Sequence, residues 1–290
     1  MRLISFGSPG AERPGIVDAD DQVIPLDPLL RRRNLGCVDT GAILALWPKL
    51  ADAIEDERTS ARQRIPLRNV RLGPPVPRPH GIFGIGMNYG EGPNPPSVTP
   101  MSYLDAPPIF MKPAGTLVGH RDPVLLPNTS TAVDYEVELA IVIGRGGRDI
   151  AREDADRHIA GYLLANDITA HDLTRRGQIL VGKGYDSFLP CGPWLLTADS
   201  VVPDSIELRL SVNNEPRQAG KVADMRLDVP TIVELISNFT ALHPGDLILT
   251  GTPPGSGIGM HPPQFLADGD DIAASAGPLG ELRNRCQKEK

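Results

Sequence analysis

Cysteine is scarce in this 290-residue chain: Cys37, Cys191 and Cys286 are scattered and odd in number. That pattern excludes a disulfide framework and a cysteine-rich zinc cluster, and it suits a reducing compartment. No stretch approaches the ~20 apolar residues of a membrane span. The N-terminal MRLISFGSPGAERPG lacks the apolar core and cleavage signature of a secretory signal. A cytoplasmic protein without a membrane partner is expected. The formal net charge of −7 is mild and unclustered, which excludes a nucleic-acid surface. Aromatics make up only 4%, and no internal repeat is visible. Thirty glycines, thirty prolines and 40% apolar residues remain, which describe a loop-rich, strand-rich chain able to bury a core.

RLISF and GIVDADDQVIPL predict N-terminal hairpins with Gly/Pro and acidic turns. GAILALWPKLADAIEDERTSARQ predicts a helix, with Pro48 at a start or a break. The proline-rich LGPPVPRPHG reads as an extended linker, so residues 1–72 are expected to form a small N-terminal α/β domain and 73–290 a larger catalytic one. Beyond it, GIFGIG, PIFMKP and PVLLP predict short strands. The proline-rich segment EGPNPPSVTPMSYLDAPP between the first two is long enough for a functional loop such as a lid. Ala155, Ile159 and Leu163 recur at helical spacing and predict a helix at the start of REDADRHIAGYLLAND. SIELRLSVNNEPRQ predicts a hairpin turning at Asn213-Asn214, VPTIVELISNFTAL a helix with Pro230 near its start, and GDLILTGTPPGSG a strand entering a glycine loop. Without regular βαβ alternation, the class is α+β.

The stretch VDYEVELAIVIG, 133–144, poses the chemical question. As a strand it sets Val133, Tyr135, Val137, Leu139, Ile141 and Ile143 on one face and Asp134, Glu136 and Glu138 on the other. Half-exposed sheets do carry solvated acids. The strand continues as LAIVIG, however, apolar on both faces, and Glu136 and Glu138 stand roughly 6–7 Å apart along it. Unpaired anions at that spacing repel. A hard divalent cation, Mg²⁺ or Mn²⁺, removes the conflict. Two other motifs fail on their residues. GQILVGKG has Ile179, Leu180 and Val181 inside the loop and no Ser or Thr after Lys183, so it is not a phosphate loop. Gly84, Gly86 and Gly90 lack dinucleotide-fingerprint spacing.

Four stretches, GIGMNY (84–89), DYEVELAIVIG (134–144), GYLLANDITAHD (161–172) and GDLILTGTPPGSGIGM (245–260), together resemble the fumarylacetoacetate hydrolase family. LVGKGYDSFLPCGPWL (180–195) and DVPTIVELIS (228–237) fall between them in the expected order. The resemblance covers about 70–290 well and the N-terminal piece loosely. It implies a mixed β roll or barrel with flanking helices, usually a homodimer. It also implies a Mg²⁺ or Mn²⁺ held by a Glu-x-Glu pair and an Asp, matching Glu136, Glu138 and Asp167. Lys183 matches the lysine that contacts substrate oxygens beside the metal. Thr252 matches a substrate contact, and Tyr89 and Gly251 fall in the two substrate-binding motifs. The small-molecule substrate implied is a 2-oxo acid or β-dicarbonyl, handled through a metal-stabilised enolate.

The chain departs from the family pattern at two functional positions. Hydrolases and decarboxylases of the family commonly carry a His three residues after the Tyr of the NY motif. Here that residue is Gly92, and no His occurs between His80 and His120. General-base catalysis is typically worth 10²–10⁴-fold, about 3–5 kcal/mol of barrier. His171 stands where the family usually has Arg, and it is the first candidate to replace the missing base. Glu91 is a second candidate and Asp105 a weaker one. The other histidines (80, 158, 243 and 261) fall in linker, helix-surface or turn contexts. The missing His leaves three readings: the family's C–C hydrolase or decarboxylase chemistry, an isomerase, tautomerase or dehydratase that needs only enolisation, and a binding or scaffold protein that kept the fold.

Overall fold

The computed structural model describes residues 1–36, 39–90, 107–174 and 178–289. It is α+β, with a twelve-stranded mixed sheet and a five-stranded one as its main layers. Val137–Ile143 runs through the middle of the larger sheet with every residue buried. It pairs antiparallel with Ile159–Asn166 on one side and Leu247–Leu249 on the other. A strand covered on both faces needs apolar residues on both, which LAIVI supplies. Ile82–Ile85 then lies parallel to Leu247–Leu249, with Leu247 opposite Ile82. The second sheet joins Glu207–Val212, Glu215–Lys221, Asp271–Ser275, Glu281–Lys288 and Val124–Leu126. Its hairpin turns at Asn213 and Asn214, with φ of 53° and 66°. A two-residue turn of this kind needs left-handed backbone, which Asn tolerates better than most residues.

Two helical expectations hold with adjusted bounds. The first region forms two pieces, Thr40–Ala45 and Trp47–Ser60, with Pro48 in the first turn of the second, where its missing N–H has no partner to lose. Val229–Phe239 is a helix capped by the Asp228 side chain, which accepts a bond from the Thr231 N–H. Its Ile232, Val233 and Ile236 enter the core beneath the second sheet.

The helix expected from Ala155, Ile159 and Leu163 does not form. Arg152–His158 is a 3₁₀ segment, and Ile159–Asn166 is a strand clamped between Val137–Ile143 and Leu189–Thr197. Burial on both faces fills every register of that strand with small or apolar residues, and such a run contains helical spacing by coincidence. Gly161 marks the close approach: a Cβ there would lie 2.0 Å from the Leu196 carbonyl oxygen.

The segment expected as a separate N-terminal domain extends the same large sheet. Arg2–Phe6 pairs with Leu189–Thr197, setting Arg2 opposite Leu196 and Leu3 opposite Leu195. Leu3, Ile16, Ile24 and Ile43 share one core with Ala140, Val142 and Leu163. Leu72–Gly73 returns to pair with Arg2–Phe6. No helix among the described residues is long and apolar enough to cross a membrane.

Candidate metal centre

The acidic strand is not continuous. Val133–Asp134 pairs with Thr169–Ala170, strand pairing is interrupted at Tyr135–Glu136, and Val137–Ile143 enters the large sheet. Asp134 lies before the interruption, and Glu138 lies beyond it. Glu136 and Glu138 turn toward Asp167, and carboxylate oxygens of the three lie within 4.8 Å of one another. Local bonds tighten the arrangement. Asp167 donates its backbone N–H to the Glu136 carbonyl (2.8 Å), and Glu136 donates its own to the Asn166 side-chain oxygen (2.9 Å).

Two lysines enter this cluster. Lys183, on the helical turn Ile179–Lys183, donates to Asp167 Oδ2 (2.5 Å), Glu136 Oε2 (2.9 Å) and Thr169 Oγ1 (2.7 Å). Burial works against its charge, yet Asp167 and Glu136 hold its pKa above the ordinary range. Lys112 follows the short strand Ile109–Met111, is fully buried, and donates to Asp167 Oδ1 (2.5 Å) and the Ile168 carbonyl (3.2 Å). Burial pulls its pKa down, partly countered by Asp167. Burial also opposes ionisation of Asp167, but the two ammonium groups outweigh it and keep that carboxylate below the usual range. Sequence reasoning missed Lys112. In FMKP it looks like any exposed lysine, and only the fold brings it beside a residue 55 positions away.

Glu138 is the discordant member. It is buried, and that burial, reinforced by the charge of Asp167, pushes its pKa well up. Its carboxylate accepts the Gly251 N–H at 2.7 Å. Gly251 adopts φ +97°, and a Cβ there would lie 2.8 Å from Asn88 Cβ, so the donor must be a glycine. Three carboxylates against two ammonium groups leave one uncompensated negative charge in a buried, all-oxygen donor set. That chemistry fits a hard divalent cation.

The two hydroxyls picked out from the sequence differ. The Tyr89 hydroxyl is buried and finds no hydrogen-bond partner among the described residues. Burial and the nearby charge of Glu138 raise its pKa, so it keeps its proton. Thr252 Oγ1 is committed to the fold. It donates to the Val137 carbonyl (2.9 Å) and accepts from Gln218 Nε2 (2.8 Å), while Gln218 Oε1 accepts the Val137 N–H (3.0 Å). Asn88, next to Tyr89, is also committed, bonding Leu227 and Thr250 backbone atoms.

Asp134 stands apart from the cluster. Its carboxylate accepts the backbone N–H groups of Tyr135, Gly257 and Ile258, each at 2.8 Å. It also meets His171 Nε2 at 3.1 Å, and that nitrogen lies 3.8 Å from Glu136 Oε1. The fold thus brings His171 to the rim of the acidic cluster, behind Glu136. Glu91 and Asp105 lie outside the described residues.

Comparison with known proteins agrees with this geometry. Residues 81–287 match the family model for the fumarylacetoacetate (FAA) hydrolase C-terminal region. The chain is 40% identical over 225 residues to the human mitochondrial oxaloacetate tautomerase FAHD2A, covering 76% of this chain and 71% of that protein. It is 35% identical over 291 residues to the 2,4-didehydro-3-deoxy-L-rhamnonate hydrolase of Sphingomonas sp. strain SKA58, covering 98% and 95% respectively. Among solved structures, the maleylpyruvate hydrolase of Sphingobium sp. SYK-6, in complex with manganese(II) and pyruvate, superposes with a TM-score of 0.82 at 31% identity over the full length of both chains. A chain that matches this family's model over most of its length and shares the fold of its solved members belongs to the fumarylacetoacetate hydrolase family of metal-dependent enzymes.

Proposed function

We propose that the chain is a Mg²⁺- or Mn²⁺-dependent enzyme that interconverts the keto and enol forms of a 2-oxo acid or β-dicarbonyl, with oxaloacetate as the first compound to test. The observation that carries this reading is an intact acid–lysine cluster in a chain with no histidine between His80 and His120. Glu136, Glu138 and Asp167 would hold the cation. Bound there, it supplies Lewis acidity toward the carbonyl and carboxylate oxygens of a chelating substrate. Lys183, held protonated by its two acids, gives its three N–H groups to Glu136, Asp167 and Thr169, so it would reach a substrate oxygen next to them by releasing one of these. Tyr89, whose buried hydroxyl has no partner among the described residues and feels the charge of Glu138, offers a second donor. Gly251 fixes Glu138 through its backbone N–H, and Thr252 supports the same loop. His171, tied to Asp134, lies 3.8 Å from the Glu136 carboxylate and is the nearest imidazole to the cluster among the described residues.

Tautomerisation fits these residues better than hydrolysis. It moves one proton from the enol oxygen and places one on the adjacent carbon, without adding the elements of water. Hydrolysis of a C–C bond needs an activated water, and the histidine usually held for that role is replaced by Gly92. The tautomerase names among the relatives support the first reading. The rhamnonate-pathway hydrolase, similar over nearly the whole chain, supports C–C hydrolysis as the second. A soluble, cytoplasmic homodimer completes the proposal.

The deciding experiment follows the ultraviolet absorbance of enol-oxaloacetate with Mg²⁺, with Mn²⁺ and with chelator, in the wild type and in Glu138→Gln. Metal-dependent loss of the enol band that disappears in the variant is expected. Fast cleavage of an acylpyruvate with no effect on the enol band would replace this reading with the hydrolase one. Calorimetry of Mn²⁺ binding with and without oxalate tests the metal separately, since a chelating enolate mimic should tighten it.

A further inference from the structure

We propose a second metal site, of borderline transition-metal type, formed by His80, His243 and Asp246 at the opposite end of the same strands. His80 precedes Ile82–Ile85 and Asp246 precedes its parallel neighbour Leu247–Leu249. Tyr89 and Gly251 follow the far ends of these two strands. A four-residue strand spans roughly 13 Å, so the two sites are separate.

Local sequence builds the cluster. H-P-G-D, residues 243–246, is a turn in which Asp246 donates its N–H to the His243 carbonyl (3.0 Å). Pro244 sets the second position and Gly245, at φ +90°, the third, as a type II turn requires. The turn folds the Asp246 carboxylate back under His243, where Oδ2 accepts the His243 backbone N–H (2.7 Å). Oδ1 accepts the Gly81 N–H (2.6 Å), which fixes the same carboxylate beneath His80. His243 Nδ1 lies 3.8 Å from Asp246 Oδ2, and the His80 and His243 rings are 4.2 Å apart between centroids. One donor atom from each of the three lies within 4.8 Å of the others. Tetrahedral coordination at 2.0–2.1 Å sets donors about 3.4 Å apart. Two exposed rings need move inward by only about an ångström to reach that, through side-chain rotation.

Asp246 points to a ligand independently. It is fully buried and, among the described residues, is met by two imidazoles and two backbone donors but by no Lys or Arg. A buried carboxylate without a permanent cation calls for a counter-charge. Two imidazoles and one carboxylate suit Zn²⁺, Co²⁺ or Ni²⁺, whereas the all-oxygen site suits Mg²⁺ or Mn²⁺. The backbone N–H groups on Asp246 serve as the outer support that orients a ligating carboxylate. A bound ion would staple two segments more than 160 residues apart, at the base of the paired strands.

The test titrates Zn²⁺ into Mg²⁺-saturated protein by calorimetry and records the visible spectrum with Co²⁺ in its place. Wild type, His80→Ala, His243→Ala, the double variant and Glu138→Gln are compared. One Zn²⁺ equivalent is expected in the wild type and in Glu138→Gln. At least tenfold weaker binding is expected in each histidine variant, with unchanged circular dichroism and unchanged Mg²⁺-dependent turnover. Co²⁺ should give an intense tetrahedral band that the double variant lacks. No Zn²⁺ uptake by the wild type, uptake equal in the double variant, or uptake lost only in Glu138→Gln would each overturn the proposal.

Discussion

Asp134 and Glu138 are buried acids four residues apart, and the fold treats them in opposite ways. Asp134 accepts three backbone N–H groups and meets His171, so its oxygens are saturated by the chain itself. Glu138 accepts one N–H, sits among other acids and has its pKa driven up by burial. One acid is an anchor that joins the 257–258 loop to the short strand Val133–Asp134. The other is left with unused lone pairs and an unfavourable charge. For this pair, hydrogen-bond saturation rather than burial separates the acid that holds the fold from the one left with free lone pairs.

The widest contrast comes from removing each acid. Glu138→Gln keeps the shape, removes the ligand charge, and should lower metal-dependent kcat/KM by about 10³-fold or more. The metal-free variant should be at least as stable as the wild type. Asp134→Ala strands three backbone N–H groups, two of them buried, and should cost about 3–5 kcal/mol in urea unfolding. Equal stability losses in the two variants would break the comparison.

Lys112→Met asks whether the anchoring principle extends to cations. Asp167 would lose one of two ammonium partners in a fully buried setting, at a cost of about 3 kcal/mol. Thermal unfolding with and without Mg²⁺ checks it, and added metal should recover part of the loss by supplying charge to the same carboxylate.

A smaller effect appears with pH. The folded, metal-free chain holds a proton on Glu138 above the pH where the unfolded chain releases it. In that window the native state binds more protons than the unfolded one, so stability falls as pH rises. Glu138 therefore favours the metal-free fold below the ordinary glutamate range and stops doing so as pH climbs through its raised pKa. Bound metal displaces that proton and removes the penalty. The melting-temperature gap between metal-loaded and chelated protein should widen from pH 5 to pH 8, and Glu138→Gln should flatten that trend.

Much of this contrast was invisible in the sequence. Alternation grouped Asp134 with Glu136 and Glu138, and it could not show that the Gly257 and Ile258 N–H groups, more than 120 residues on, occupy the Asp134 carboxylate. Glu136 and Glu138 drew attention because acids entering an apolar strand pose an electrostatic problem that sequence displays directly, whereas Asp167 came from the family resemblance alone; the fold brings the three together. The Asn213-Asn214 hairpin and the Pro230 helix start were legible, each resting on local backbone chemistry. Lys112, Gln218 and the strand Ile159–Asn166 were not, since their roles come from partners far along the chain.

The finest test compares the hydroxyls of Tyr89 and Thr252. Thr252→Val preserves volume but removes a group bonded to both Gln218 and the Val137 carbonyl. About 1–2 kcal/mol of stability should go, because two buried partners are left unmatched. Tyr89→Phe removes a hydroxyl that has no partner among the described residues, so stability should change by less than about 0.5 kcal/mol. If that hydroxyl serves the substrate, turnover should still fall about tenfold or more, the value of a donor used only in the reaction. An unchanged rate in Tyr89→Phe would leave Lys183 as the side-chain donor to the substrate. A large stability loss would mean that the hydroxyl belongs with Asp134 and Thr252, among the groups that hold the fold.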